Sequence, residues 1–361
     1  MRPSTRFFQA TGVAILTSFI TAAPVLSQTA TTVPVGFITV TVPAAVDVNT
    51  PSSAALSIPL YRTADFVGAV ATITDPNQFT LTGAAFTAGQ FADPTAPRLV
   101  RVKTSTTAAH VGKFFLVTGN TTNQLTVDLT GTGVANISSA LTAGANPDTV
   151  EIVPANTIGS VFGNATTPPA LAAGATPGSA DNVLLWNGGV GAWDTYFWTG
   201  AVGTPNNIWK RVGNIDRTNT VIYPEDGVFV VRRSTSGPLS VTFLGTVPST
   251  AEQSGIDSNG STFLANRFPT DTTLGALGLQ ALPGWVPGNT PSSSDNVYIW
   301  NSGVQAWDTY FWTGTVGSPN NIWKRIGNID RSSTPIPAGT AVYIIHTGAS
   351  LNLAQNLPYT P

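Results

Sequence analysis

The sequence predicts a mainly β protein: an N-terminal antiparallel β-sandwich or barrel, then two homologous small β-domains, with few short helices. Three observations predict it. From Val33 onward, short runs alternate apolar and polar residues between turn residues, the period-two signature of strands. Cysteine is absent, so the core must be held by burial and backbone pairing alone. Finally, one segment occurs twice: Asp181–Arg217 and Asp295–Arg331 align without a gap at an offset of 114, and only seven of 37 positions differ (184, 185, 188, 191, 201, 204 and 212).

Taken in order, residues 1–27 have the three parts of a secretory signal peptide. Arg2 and Arg6 precede an uncharged apolar run from Gly12 to Ala23, and cleavage is expected after Ser27. The apolar run is too short to cross about 30 Å of hydrocarbon, so the mature chain is expected to be exported, secreted or at the cell surface, without membrane insertion. Residues 28–150 form the expected N-terminal domain, with strands at Phe37–Val42, Ala71–Thr74, Phe79–Thr82, Leu99–Lys103, Phe114–Val117 and Leu125–Leu129. Turns are expected at Asp75–Asn77 and Gly119–Asn120. Helices are expected over Ala64–Val70, Thr157–Phe162 and, behind a cap at Asp271, Thr272–Gln280.

The first tryptophan-rich repeat is expected over 151–247, a polar linker over 248–261 and the second repeat over 262–361. The duplication extends beyond the window, since Gly227–Val231 matches Ala341–Ile345. The strand over Ala192–Thr199 puts Trp193, Thr195 and Phe197 on one face and Asp194, Tyr196 and Trp198 on the other. Such a strand either lies between two layers or buries one face and presents the other.

Composition excludes several chemistries. Charged residues make up 9% of the chain, against about 25% in typical domains. Without Arg2 and Arg6 there are 14 basic and 18 acidic residues, a net of −4, so neither nucleic acid nor anionic lipid is an expected partner. The two histidines, His110 and His346, have no matching partners for a nucleophile relay or metal site and are expected to be solvated or incidental. Asp181, Asp194 and Asp216 recur as Asp295, Asp308 and Asp330. Turn capping or pairing with Arg211 and Arg217 accounts for them better than a duplicated glycosidase site. Calcium at Asp216 stays open as a metal, and no cofactor is expected.

All nine tryptophans lie beyond residue 180. If a ligand binds, Trp186, Trp193, Tyr196, Trp198, Trp209 and Arg211 in the first repeat, and Trp300, Trp307, Tyr310, Trp312, Trp323 and Arg325 in the second, are the candidate residues. Flat rings stack on sugars while polar groups bond hydroxyls. The alternative is that these rings are the core of a disulfide-free domain, which their area favours.

The order of Val33–Pro43 (VPVGFITVTVP), Leu56–Arg62, Gly112–Phe115, Asn120–Val127 and Val150–Pro154 resembles an uncharacterised family of exported proteins common in verrucomicrobial bacteria. That resemblance implies export and brings no assigned activity or catalytic residue. The expected function is a non-catalytic structural or adhesive component of the cell surface or matrix, with polysaccharide, other surface proteins or itself as partners. The alternative is a carbohydrate-binding protein with one aromatic platform per repeat.

Overall fold

The computed structural model describes residues 34–360, so the expected signal segment lies outside the described residues. The described chain is mainly β. Its first strands are β1 (Val35–Val42) and β2 (Ser52–Leu56). A closed antiparallel barrel follows: β3 (Phe66–Thr74), β4 (Gln78–Leu81), β5 (Arg98–Thr104), β6 (Phe114–Asn120), β7 (Gln124–Asp128) and β8 (Thr149–Pro154), in the order β3-β4-β7-β6-β5-β8. Alternation fills its interior with Phe79, Val100, Val102, Phe115, Leu125, Val127, Val150 and Ile152.

Beyond the barrel come β9 (Asn156–Thr157), helix α1 (Ile158–Phe162), β10 (Asn182–Asn187), β11 (Ala192–Trp198), β12 (Trp209–Lys210), β13 (Val221–Ile222), β14 (Val228–Arg232) and β15 (Leu239–Thr246). Helix α1 starts where the sequence placed it, with Thr157 accepting from the Ser160 amide in a capping box. Five strands form a sheet in the order β12-β11-β10-β14-β2, and β1 pairs with β15 along its full length. The first module therefore begins at β1, and the barrel is an insertion between its strands β2 and β9.

The second module repeats this plan without an insertion: β16 (Glu252–Ile256), β17 (Gly260–Ala265), β18 (Thr272–Thr273), β19 (Asn296–Asn301), β20 (Ala306–Trp312), β21 (Trp323–Lys324), β22 (Pro335–Ile336), β23 (Ala341–His346) and β24 (Leu351–Gln355). Its sheet runs β17-β23-β19-β20-β21, and β16 pairs with β24.

Several expectations are corrected. Residues 28–150 do not form one domain, because Ile38, Val40 and Val42 pack into the core of the first module against Val241 and Phe243. Alternation announces a strand but not its partner. Segment 248–261 is not a linker: it carries β16 and enters β17. It reads as linker because three of its buried residues, Glu252, Gln253 and Ser254, are polar. The second repeat accordingly starts before residue 262. Ala64–Val70 leads into strand β3 rather than a helix. Thr272–Gln280 holds β18, a turn and the start of a 3-10 turn at Leu279–Ala281, and Asp271 accepts from the Ala338 amide instead of capping a helix. Gly119 and Asn120 end β6, and the reversal falls at Thr121–Asn123.

The two modules pack face to face through reciprocal contacts. Trp186 Nε1 donates to the Ser261 carbonyl (2.6 Å) and Trp300 Nε1 to the Ser53 carbonyl (2.8 Å). The Ala265 amide donates to the Glu225 carbonyl (2.9 Å), and the equivalent Ser57 amide to the Gly339 carbonyl (2.7 Å). Such reciprocity relates the modules by an approximate two-fold axis, an internal version of an isologous dimer.

Candidate functional site

The two faces of β11 go to different places. Tyr196 and Trp198 turn inward and join Trp209 in the core of the first module, where Trp209 is fully buried and its Nε1 donates to the Gly163 carbonyl (2.8 Å). Tyr310 and Trp323 are buried in the second module, Trp312 is half-buried against the same core, and Trp323 Nε1 donates to Gln280 Oε1 (3.3 Å). The opposite faces meet at the inter-module seam. Trp193 lies edge-on to Phe263 with centroids 5.1 Å apart, and Trp307 stacks on Phe229 at 5.5 Å. Trp186 and Trp300 complete the seam against Tyr343 and Phe229. Of the two arrangements open to a doubly aromatic strand, the structure has the one between two layers.

Arg211 and Arg325 serve inside their modules. Arg211 Nη1 bonds Asp194 Oδ2 (2.7 Å), and Arg325 pairs with Asp308. Asp181 accepts from the Ala172, Arg233 and Ser234 amides, and Asp295 from those of Val286 and Thr347. Asp216 accepts from the amide and hydroxyl of Thr218, and Asp330 likewise from Ser332. The aspartates thus do the capping and pairing that turn chemistry suggests.

The histidines are not solvated. His346 is buried, with Nδ1 2.7 Å from Asp295 Oδ2 and Nε2 2.7 Å from the Ala349 carbonyl. His110 is buried beside Asp148 at 3.1 Å. Their partners come from residues distant in sequence, which spacing alone does not reveal.

Two charged groupings emerge that the sequence did not single out. At the junction of the barrel and the second module, Arg101 (2% exposed) bonds Glu151 (2.8 Å) and Glu252, and Arg267 (0% exposed) bonds the other Glu252 oxygen (2.7 Å) and Tyr61 Oη (2.9 Å). Burial pushes the Tyr61 hydroxyl above its ordinary range, keeping it neutral. Each buried charge here has an opposite partner, as low dielectric requires.

The second grouping lies in a cleft of about 660 Å³ between the modules. Glu225 and Asp226, in the turn before β14, face Asp257 from the β16–β17 turn, with Trp186, Asp194, Tyr196 and Tyr223 on the wall. Burial, then neighbouring Glu225, pushes the Asp226 carboxyl up to about 8; burial also raises Glu225. Burial lowers the Lys113 ammonium, which faces Glu225 across an adjoining recess. The cleft can therefore offer a cluster of carboxyls, with Asp226 raised to about 8, to a polar ligand. Adjacent acids in a chain this poor in charge were the available sequence signal.

No family model matches this chain, no curated protein matches it, and no solved structure matches it. Among the described residues, no group of three or more His, Asp or Glu side chains is placed to hold a metal ion. None of the described helices is long and apolar enough to cross a membrane.

Proposed function

We propose that this is an exported, non-catalytic structural or adhesive protein of the cell surface or extracellular matrix, built as a rigid two-module body with a barrel inserted in its first module. One observation carries the reading: the repeated rings that would make a binding platform are packed in module cores or, half-buried, in the seam between modules. A chain whose aromatic surface is used to join its own parts is suited to holding a shape and displaying loops. Surface labelling and fractionation of the producing cells, compared with a deletion strain tested for envelope integrity and adhesion, is the test. Recovery of the protein in the cytoplasm, or an unaltered envelope and adhesion in the deletion strain, rules the reading out.

The second reading, carbohydrate binding, has one observation in its favour, and it moves the site. The inter-module cleft brings Trp186, Tyr196 and Tyr223 near Asp194, Asp226 and Asp257, a ring-and-carboxyl set in one place rather than one per repeat. Glycan-array binding by the purified chain that disappears in Asp226→Asn, with folding intact by circular dichroism, supports it; hydrolysis of a bound glycan overturns the non-catalytic reading.

A further inference from the structure

The near-identity of the two windows exceeds what packing demands. Fifteen equivalent window positions are exposed in both modules, and eleven carry the same residue; the exceptions are Gly188/Ser302, Ala201/Thr315, Thr204/Ser318 and Val212/Ile326. The equivalent core strands Val228–Arg232 and Val342–His346 share only their first residue. A fold by itself constrains buried positions more than exposed ones. Retention of the exposed ones points to something outside the module that touches them.

The retained surface is concentrated in two loops that form one tip per module. The loop after β11 is closed by Thr199, whose hydroxyl donates to the Ile208 carbonyl (3.0 Å) and accepts from the Ile208 amide (3.1 Å). The loop after β12 is closed by the Arg217 amide donating to the Trp209 carbonyl (2.8 Å). Lys210 binds the two together, its ammonium donating to the Thr204 carbonyl and to Asn214 Oδ1, both at 2.9 Å. Lys324 makes the equivalent bond to the Ser318 carbonyl (3.0 Å). Each tip presents bare aliphatic side chains. Val202, Val212 and Ile215 are at least 60% exposed, as are Val316, Ile326 and Ile329, with Val212 at 91% and Ile326 at 87%.

Chemistry selects the occupant. The tips lack exposed aromatic rings for stacking on sugar. Asn206, Asn207 and Asn214 interleave the aliphatics, and amides both donate and accept, so such a surface is complementary to a second copy of itself. Only Asp216 adds an exposed carboxylate, and Thr218 already bonds it. We infer that the tips are self-association patches through which copies of this chain join tip to tip. A patch that meets its own copy is isologous, and two such patches on one rigid body give an open chain of molecules rather than a dimer. This deepens the structural reading, since it supplies the contact by which the protein would build an array.

The test is sedimentation and light scattering of the purified mature chain across a concentration series. Wild type should grow into a concentration-dependent series beyond the dimer. Val212→Asp with Ile215→Asp should stop at the dimer, and adding Ile326→Asp with Ile329→Asp should give a monomer, each with the wild-type thermal midpoint because these side chains are exposed. A wild-type monomer at the highest soluble concentration overturns the proposal. So does an undiminished series in the four-site variant, or tip-dependent flotation of monomers with phosphatidylcholine vesicles. A monomer here would remove the tip contact without altering the cell-surface assay, so the two failures are distinguishable.

Discussion

The two modules share a plan and differ in their surroundings, and the differences fall where a second body touches them. In the first module the ladder of β1 and β15 places Val42 opposite Leu239, Val40 opposite Val241 and Ile38 opposite Phe243. In the second, β16 and β24 place Ile256 opposite Leu351, Ser254 opposite Leu353 and Glu252 opposite Gln355. Where the first module packs half-buried Ile38 against its own core, the second thus has a carboxylate, and that carboxylate meets Arg101 of the barrel. The outer side of the same ribbon follows suit: Thr39 is exposed, while its equivalent Gln253 is buried and donates to the Ala108 carbonyl of the barrel. The strand meets the inserted domain with a carboxylate in place of an isoleucine and an amide in place of a threonine at the contact.

The largest expected effect comes from undoing that adaptation. Glu252→Ile restores the residue type of the first module but leaves Arg267 buried without a carboxylate and Arg101 with only Glu151. Removing one member of a buried ion network costs about 3–5 kcal/mol, and urea denaturation should show a loss of that order. Ile38→Ala, by contrast, removes only apolar burial and should cost about 2 kcal/mol or a little more, at the low end for an isoleucine truncation. Equal costs at the two positions would mean that the barrel junction is not held by its charges.

The next effect tests the symmetry of the seam. Trp193 and Trp307 are half-buried in equivalent places, Trp193 stacked on Tyr343 of the second module (6.1 Å) and Trp307 on the equivalent Phe229 of the first (5.5 Å). Trp193→Ala and Trp307→Ala should each cost about 2–4 kcal/mol, below or within the range for fully buried tryptophan. Double-mutant cycles of Trp193→Ala with Tyr343→Ala and of Trp307→Ala with Phe229→Ala should each show coupling of about 0.5–3 kcal/mol. A large cost on one side only would break the two-fold relation.

Much of this fold was legible in the sequence because duplication and alternation are local signals. The repeated windows 181–217 and 295–331, barrel strands β4 to β7 and the short helix from Thr157 all follow from residues close together in the chain. What was hidden depends on pairing across distance. Nothing near Ile38 indicates Phe243 as its neighbour, and Glu252 looks like linker until Arg101 and Arg267 stand beside it. The sequence grouped the aromatic candidates by repeat, but their division between core and seam depends on the facing module, which one strand's periodicity does not encode. The acidic cleft was missed because Asp257 comes from the opposite module.

That cleft gives a pH-dependent contrast. Glu225 and Asp226 stand where the second module has Gly339 and Thr340, so the first module alone carries the acid pair. Asp226 is raised to about 8 by burial and by Glu225. Between the ordinary carboxylate range and about pH 8, the folded protein holds a proton that the unfolded chain releases. Its contribution to stability is complete below the unfolded value and is lost as pH rises through the folded one, at up to about 1.4 kcal/mol per pH unit. Denaturation midpoints measured from pH 5 to 9 should fall with pH in wild type and flatten in Asp226→Asn. An unchanged slope in the variant would move the titration elsewhere.

The smallest effect concerns one of the seven differing positions and should invert an ordinary preference. Gly191 and Gln305 occupy the same hairpin place with φ of +62° and +53°, a left-handed conformation that glycine adopts freely and glutamine does not. Glutamine is retained there because its Oε1 crosses the seam to accept from the Ser53 amide (2.6 Å). Gln305→Ala loses that bond and keeps the strained backbone, whereas Gln305→Gly loses the bond and relieves the strain. Alanine is normally the better-tolerated substitution, but here it should be the more destabilising by about 1 kcal/mol. Thermal midpoints that rank alanine above glycine would show that position 305 is not held in the left-handed region.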